Sequence, residues 1–461
     1  MEKHGRVLSR RRFMAHALTG LGATLLAACA PKTVEVEKEV TRVVEKEVEK
    51  TVVVEKEVEV EKIVTPTPAP AGRTQIVYYD RTTSAPQWAD VYNEVQDDVY
   101  VQVEIQPPGQ RYEQLIAAIM AGNAPDVIGL DCVQVGRFAQ LGAVAPLEDL
   151  LPPETLGLYF QNLVTRPGHY GVYQGHLLGV PFWVDMSILY YNKTMYEEAG
   201  GDPENAFRSW DDYVTYGKNA TKEGVFGFAM LTGGGADFLY QPWIWAQGGD
   251  FVNADWTAST AAEDPAVANM FQFMRDLIHV HKITNDAVAT DWTTASNLFT
   301  NQKAMSHHLG GGGVGLIRRE FPELWEVLGV TMIPGPEVGQ ASSFIGGNVA
   351  SITTQSKEKE AAVDFLIWAT ASDEGQTVTG EVGYLCGTPS GMDLPVFTKD
   401  AHIYGAFKKG LDTGYPASND PRFDEVRSPY MDAVAAAQLG ERPIADIVRQ
   451  MDDDINRILK R

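Results

Sequence analysis

Apolar and polar positions change period repeatedly along this chain, and the changes mark out its elements. Gln75-Ile-Val-Tyr-Tyr79 reads as a strand that ends at Asp80-Arg81. A helix from about Pro86 to Gln96 leads to the alternating run Val99-Tyr-Val-Gln-Val-Glu-Ile105, a second strand. Helical spacing of Tyr112, Leu115, Ile116 and Ile119 precedes a buried strand at Pro125–Leu130. A helix from Val135 to Leu141 stops at Gly142, where glycine supplies the C-terminal cap. Strands and helices alternating at this spacing predict an α/β sheet. Ligands of such sheets sit beyond the carboxyl ends of the strands. That makes Asp80, Arg81 and Asp131 candidate site residues, against the plainer reading of a helix cap or an exposed turn.

The stretch Gly179-Val-Pro-Phe-Trp-Val-Asp-Met-Ser-Ile-Leu-Tyr-Tyr-Asn-Lys193 is the pivot of the pattern. Proline cannot donate to a sheet ladder, so Pro181 marks a strand end or a crossing segment. Trp183 and Asp185 then supply a flat apolar wall and an acceptor for hydroxyl groups, the mixture that a pocket for a polyhydroxylated molecule requires. The alternative is a buried strand with one satisfied acid. Further on, Ser209 caps a helix. Gly233–Asp250 combines glycines with Trp243 and Trp245, which face the same way in an extended segment and about 200° apart on a helix. Helices are expected near Pro265–Lys282, Thr293–Thr300, Ala361–Thr370 and Ile444–Leu459. Strands are expected at Ala304–Leu309, Val327–Pro334 and Ser343–Thr353. Gly310–Gly313 lacks the Lys-Ser/Thr of a phosphate loop and reads as a flexible bend.

The amino-terminal 72 residues follow different rules. Arg6 and Arg10-Arg11-Arg12 precede the apolar run Ala17–Ala28 and then Cys29, the layout of a secretory signal too short for a lasting membrane span. Ser9-Arg10-Arg11-Arg12-Phe13-Met14 resembles the twin-arginine export signature, and Leu26-Ala27-Ala28-Cys29 resembles a bacterial lipobox, which makes Cys29 the expected lipidation site. Residues 1–28 are therefore expected to be the signal. Residues 29–72 form a tether in which Val-Glu-Lys-Glu-Val starts at Val36, Val44 and Val54, before the Pro-rich run Thr65–Gly72. Repeat spacings of eight and ten residues do not sustain heptads, so a coiled coil is not expected.

Charge and cysteines narrow the function classes. The chain of 461 residues has 38 basic and 61 acidic side chains, net −23. Removing the signal takes away five basic residues and one acid and leaves net −27. A broad nucleic-acid-binding face is excluded on that balance. Besides Cys29 there are Cys132 and Cys386, with no CxxC or Cys/His ligand spacing; a disulfide is open on sequence alone. His279, His281, His307 and His308 form no ligand cluster in the sequence, and neither metal nor cofactor is expected.

The order of features from residue 74 to 461 resembles the extracellular solute-binding proteins of bacterial ABC importers, of the sugar-binding type. The matching pieces are Ala124-Pro-Asp-Val-Ile128 with Phe138–Asp149, Leu178-Gly-Val-Pro181 with Leu189-Tyr-Tyr-Asn-Lys193, Ser209-Trp-Asp-Asp212, Gln247-Gly-Gly-Asp250, Gln302-Lys-Ala-Met305 and Ala361–Leu366. The resemblance implies two α/β lobes of the type II periplasmic-binding fold, with the ligand between them. Expected crossings fall near Pro181–Asp185, Thr300–Lys303 and Gly346–Gly347. Lobe I would comprise residues 73–183 and 303–345, and lobe II residues 184–302 and 346–461. Carried over position by position, the resemblance implies ligand contacts at Asp80, Arg81, Asp131, Trp183, Asp185, Gln241, Trp243, Trp245, Gly311 and Gly347. Position 241 is Gln where the family has an acid, and the run 310–313 lacks a stacking tryptophan. With Cys132 in one lobe and Cys386 in the other, a bond would lock the hinge, so both are expected to be free thiols.

The resemblance further implies no catalysis, a membrane permease and its ATPase as partners, and a lipid-anchored position outside the cytoplasmic membrane. A secreted carbohydrate-active enzyme using Asp131 and Asp185 as a carboxylate pair is the rival reading. A binder of a non-sugar solute and an adhesive lipoprotein are the others.

Overall fold

The computed structural model describes residues 70–106, 112–160, 169–288 and 290–461. The expected signal, Cys29 and the charged repeats lie outside the described residues. Nine strands build the main sheet: β1 (Thr74–Asp80), β2 (Val99–Ile105), β3 (Val127–Asp131), β4 (Val180–Asn192), β5 (Phe226–Ala229), β6 (Ala304–Leu309), β7 (Leu328–Thr331), β8 (Phe344–Ile352) and β9 (Tyr415–Pro416). Their order is β2-β1-β3-β8-β4-β6-β5, with β7 also pairing β4 and β9 pairing β8. The first three are parallel, as the alternating strand–helix pattern requires.

β4 joins two lobes without a break. Its first half pairs antiparallel with β8, from Ser187 opposite Phe344 to Val180 opposite Ala350. Its second half pairs with β6 through Ile188–Tyr191 and with β7 through Leu189–Asn192. The continuous apolar run of β4 suits a strand covered on both faces, and all but Asp185 of its thirteen residues are buried. Pro181 is the second residue of β4, at a register shift: Asn348 faces Trp183 and Val349 faces Pro181, so Phe182 is the additional residue of a bulge. A residue without an N–H is tolerated at such a place. On the first-lobe side, Phe182 packs against Tyr78 and Trp88 with ring centroids 5.2 and 5.1 Å apart. In the second lobe Phe228, Trp243, Phe271, Met274, Tyr430 and Ile455 form a separate apolar cluster.

Strand pairing corrects the expected return segments. Residues 304–309, placed in lobe I by the resemblance, lie parallel to β5 and against the far half of β4, in the second lobe. Residues 348–352, placed in lobe II, lie antiparallel to β3 in the first. Only the later part of the carboxyl-terminal segment, the helices Phe423–Leu439 and Ile444–Leu459, packs in the second-lobe cluster. Thr300–Lys303 is not a crossing. It is a turn between the helix Trp292–Thr300 and β6, with Gln302 at φ +56° and the Lys303 carbonyl accepting from the Phe226 N–H. The glycine run is not a loose bend either: Gly312 opens the helix Gly312–Glu320. Cys132 and Cys386 are both buried and are free thiols, as expected.

Gly346 and Gly347 do lie on a strand that reaches both lobes. Gly347 has φ +133°, and a Cβ there would stand 2.4 Å from the Trp183 carbonyl oxygen. Glycine is required by both the dihedral and the close approach of β8 to β4. We expect Gly347→Ala to lower the unfolding free energy by about 2 kcal/mol or more, measured as a reduced urea midpoint with unchanged m-value.

Candidate ligand cleft

The side chains at the carboxyl ends of β1 and β3 meet the first half of β4. Arg81 follows β1, Asp131 ends β3, and an Arg81 Nη2–Asp131 Oδ2 ion pair joins them at 3.5 Å with the side chains 22% and 13% exposed. The guanidinium lies 5.2 Å from the ring centroid of Trp183. Burial opposes the Arg81 charge, but the carboxylates of Asp131 and Asp80 outweigh it and raise its pKa further. Trp183 stacks on Tyr384, centroids 4.1 Å apart and planes 17° from parallel. Tyr384 is held there because its loop is zipped to β4: Val184 N–H donates to the Leu385 carbonyl at 2.8 Å, and Leu385 N–H donates back at 3.2 Å. The Trp183 indole N–H is buried and has no acceptor among the described residues. A ligand oxygen there would satisfy it.

Asp185 turns toward the glycine run. Its Oδ1 accepts from the Gly311 N–H at 2.5 Å and from the Met186 N–H at 3.0 Å. Burial raises its pKa, while those N–H groups, that of Gly312 and nearby Arg81 pull it back. A Cβ on Gly310 would come within 2.6 Å of both carboxylate oxygens, so the carboxylate sits on bare backbone at the start of the helix Gly312–Glu320. Gly311 contributes this N–H donor, and Gly347 contributes close backbone packing. Neither brings a side chain to the cleft.

Asp80 is corrected to a structural role. It is fully buried and accepts from the Thr82 N–H at 2.6 Å, the Asn348 amide at 2.8 Å and the Tyr78 hydroxyl. Its carboxylate fills the space that a side chain at Gly129 would take. Burial raises its pKa against these hydrogen bonds. Trp243 is likewise corrected. Residues Ala236–Trp245 form a helix, which turns Trp243 into the core against Tyr240 and His308 and leaves Trp245 on the opposite side. Trp245 stacks on Tyr415 at 4.5 Å and near Phe344. With Gln241, His169 and Asp250 it lines a crevice of about 50 Å³ beside β9. His307 and His308 are fully buried on β6, bonded to the Ala229 and Leu239 carbonyls, and burial lowers their pKa values to about 4 and about 3. They are neutral core residues. Among the described residues no group of three His, Cys, Asp or Glu side chains could hold a metal ion.

Sequence reasoning missed a second arginine. Arg427, on the helix Phe423–Leu439, grips fully buried Asp237 through Nε at 2.6 Å and Nη2 at 2.9 Å, and its guanidinium stands 5.1 Å from the Phe238 ring centroid. Phe238 in turn meets Phe344, at the start of β8, at 5.1 Å. Each lobe thus presents an Arg–Asp pair beside an aromatic ring next to the β4–β8 crossing. No sequence signal links positions 190 residues apart. The nearest one available was Asp237-Phe238 in the first turn of a helix preceded by three glycines.

Residues 78–376 match the family model described as bacterial extracellular solute-binding protein. The arabinooligosaccharide-binding protein of Halalkalibacterium halodurans is 26% identical over 416 residues, which cover 85% of this chain and 88% of that protein. The diacetylchitobiose binding protein DasA of Streptomyces coelicolor is 23% identical over 402 residues, covering 84% and 90%. The crystal structure of the cyclic alpha-maltosyl-1,6-maltose binding protein from Arthrobacter globiformis superposes with a TM-score of 0.72 at 23% identity, over 84% of this chain and 100% of that one. That likeness is one of fold.

Asp250 gives the crevice a measurable pH dependence. Burial raises its pKa from 3.8 to about 6, moderated by the Phe251 N–H and by the Trp245 indole and Tyr415 hydroxyl beside it. Between those values the folded state holds a proton that the unfolded chain has lost. Its contribution to stability is therefore full below about pH 4 and is lost as pH rises through about 6. Thermal melting across that range should show a smaller decline with pH in Asp250→Asn than in the parent.

Proposed function

The chain belongs to the bacterial extracellular solute-binding proteins, and we propose that its solute is a neutral saccharide, handed to the permease of an ABC importer. The observation that carries this reading is the Trp183 site. A tryptophan face is packed between a tyrosine and a guanidinium, and its indole N–H waits for an acceptor. With the indole ring held by Tyr384 and Arg81, the fixed polar groups, its N–H among them, are what would take the hydroxyls of a sugar.

Charge argues for a neutral ligand. Both arginines near the crossing are already matched by a carboxylate, Arg81 by Asp131 and Arg427 by Asp237. A phosphate or uronate approaching either guanidinium would also meet that carboxylate, on a chain of net charge −23. A hydroxyl can donate to the carboxylate and accept from the guanidinium together, so the paired groups suit sugars. The names of the arabinooligosaccharide- and diacetylchitobiose-binding relatives support the same class.

Binding rather than hydrolysis fits the carboxylates. Asp131 is ion-paired, and Asp185 is engaged by backbone N–H groups of the glycine run. A two-carboxylate mechanism needs one acid positioned as proton donor and the other as nucleophile or base. A solute touching both lobes stabilises the closed arrangement by its differential affinity, and the permease then reads that arrangement. In this reading Cys29 is lipidated after twin-arginine export, and the repeats of residues 29–72 hold the lobes away from the outer face of the cytoplasmic membrane.

Calorimetric titration with neutral mono- and oligosaccharides, hexuronates and hexose phosphates tests the proposal. We expect binding within the neutral set, and at least tenfold weaker binding for Trp183→Ala and for Arg81→Leu. Tighter binding of the anionic sugars, or neutral-sugar affinity unchanged in both variants, would refute it.

A further inference from the structure

We infer that the crevice at Trp245 and Asp250 is a second binding site, for the protonated head of a small amine, apart from the cleft that takes the solute. The lining carries this. Trp245 stacks on Tyr415 with ring centroids 4.5 Å apart, and Trp256 stacks on Phe423 at 5.9 Å. Phe344 completes the aromatic wall, 5.8 Å from Trp245. Asp250 and Gln241 supply polar groups, and among the described residues that line the crevice there is neither lysine nor arginine. Aromatic faces attract cations through the ring quadrupole, most strongly where water is excluded.

The polar groups are short of partners. Asp250 Oδ1 accepts from the Phe251 N–H at 2.7 Å, but the carboxylate has no ion-pair partner among the described residues. Asp131 and Asp237, in contrast, each have an arginine. Arg422 comes near, donating to the Trp256 carbonyl at 2.7 Å, yet its charge is matched by Asp420, which Nε and Nη2 hold at 2.9 Å. The other titratable groups facing Asp250 are the Tyr415 hydroxyl, the His169 ring on the crevice wall and Asp264, which accepts from the Asp250 N–H at 3.0 Å. None of them is a fixed cation. Gln241 is 3% exposed, and its amide has no hydrogen-bond partner among the described residues. An ionised carboxylate in such surroundings costs free energy unless a cation stands beside it. An ammonium group meets both needs: its N–H groups donate to carboxylate and amide oxygens, and its C–H groups lie against the rings.

Size and place separate this site from the saccharide cleft. The crevice holds about 50 Å³, space for roughly three to five waters. An amine of one or two carbons fits there, and a pyranose ring does not. Trp245 ends the helix whose first turn carries Phe238, about 10 Å of rise away.

Calorimetry and thermal melting with methylammonium chloride test the site, against sodium chloride at equal ionic strength. Methylammonium should bind and raise the melting temperature where sodium does not. Asp250→Asn should weaken binding at least tenfold, and Gln241→Leu several-fold. A cation favours the ionised form of Asp250, whose pKa burial raises to about 6. Affinity should therefore be about tenfold weaker at pH 5 than at pH 7, with protons released on binding near pH 6. That profile is read on the parent, so it decides the matter even where a variant fails to fold. Asp250→Asn should lose most of it. Equal effects of methylammonium and sodium, or unchanged affinity in Asp250→Asn, would overturn the inference and leave the saccharide reading intact. Binding of glucosamine through Asp250 without binding of methylammonium would assign the crevice to the saccharide cleft and overturn it as well.

Discussion

The constraint behind this structure is that β4 must satisfy its backbone hydrogen bonds in two lobes at once. A thirteen-residue strand buried almost throughout cannot leave N–H and C=O groups unpaired without a cost of about 1–3 kcal/mol for each. β8 supplies partners for its first half, and β6 and β7 for its second. Everything at the cleft is indexed to this arrangement. Trp183 is placed by its pairing with Asn348, Asp185 by its pairing with Gly346, and Tyr384 by the bridge from Leu385 to Val184. The bulge at Phe182 sits where proline already interrupts the ladder.

Much of the local structure was legible because period and punctuation carry it. Val99–Ile105 and Ile444–Leu459 form as their patterns require, and Pro181 proves to be at the start of a crossing strand. What periodicity does not contain is neighbour identity. Ala304–Leu309 and Phe344–Ile352 are both short buried strands, and nothing in their composition says which lobe receives them. Hydrogen-bond partners decide that, and they come from residues more than seventy positions away. The same holds at the proposed site. Arg81, Asp131 and Trp183 lie at strand ends or beside proline and could be singled out. Asp80 looked equivalent, but it is turned inward by Tyr78, Thr82 and Asn348. Trp243 and Trp245 could not be told apart until the segment was known to be helical.

Electrostatics at the proposed cleft are arranged by pairing. Arg427 with Asp237, and Arg81 with Asp131, place a cation and an anion within reach of one another in partly desolvated surroundings. Losing one member of such a buried pair typically costs about 3–5 kcal/mol, more than the intact pair contributes, because the other charge is left without compensation. Paired groups of this kind hold fixed directions for hydrogen bonding, which lowers the reorganisation needed when a polar ligand replaces water.

The place of β8 in the sheet has a consequence for how the chain acquires its fold. β8 lies between β3 and β4, yet it is made from residues 344–352, more than 150 positions after the strands it separates. While the chain is being synthesised, β3 and β4 therefore present two unpaired edges, and buried Asp80 lacks its Asn348 partner. Such edges invite pairing with other chains, and long-range strand insertion is slow. The first lobe begins earliest and finishes late, because one of its inner strands comes from the chain's last third.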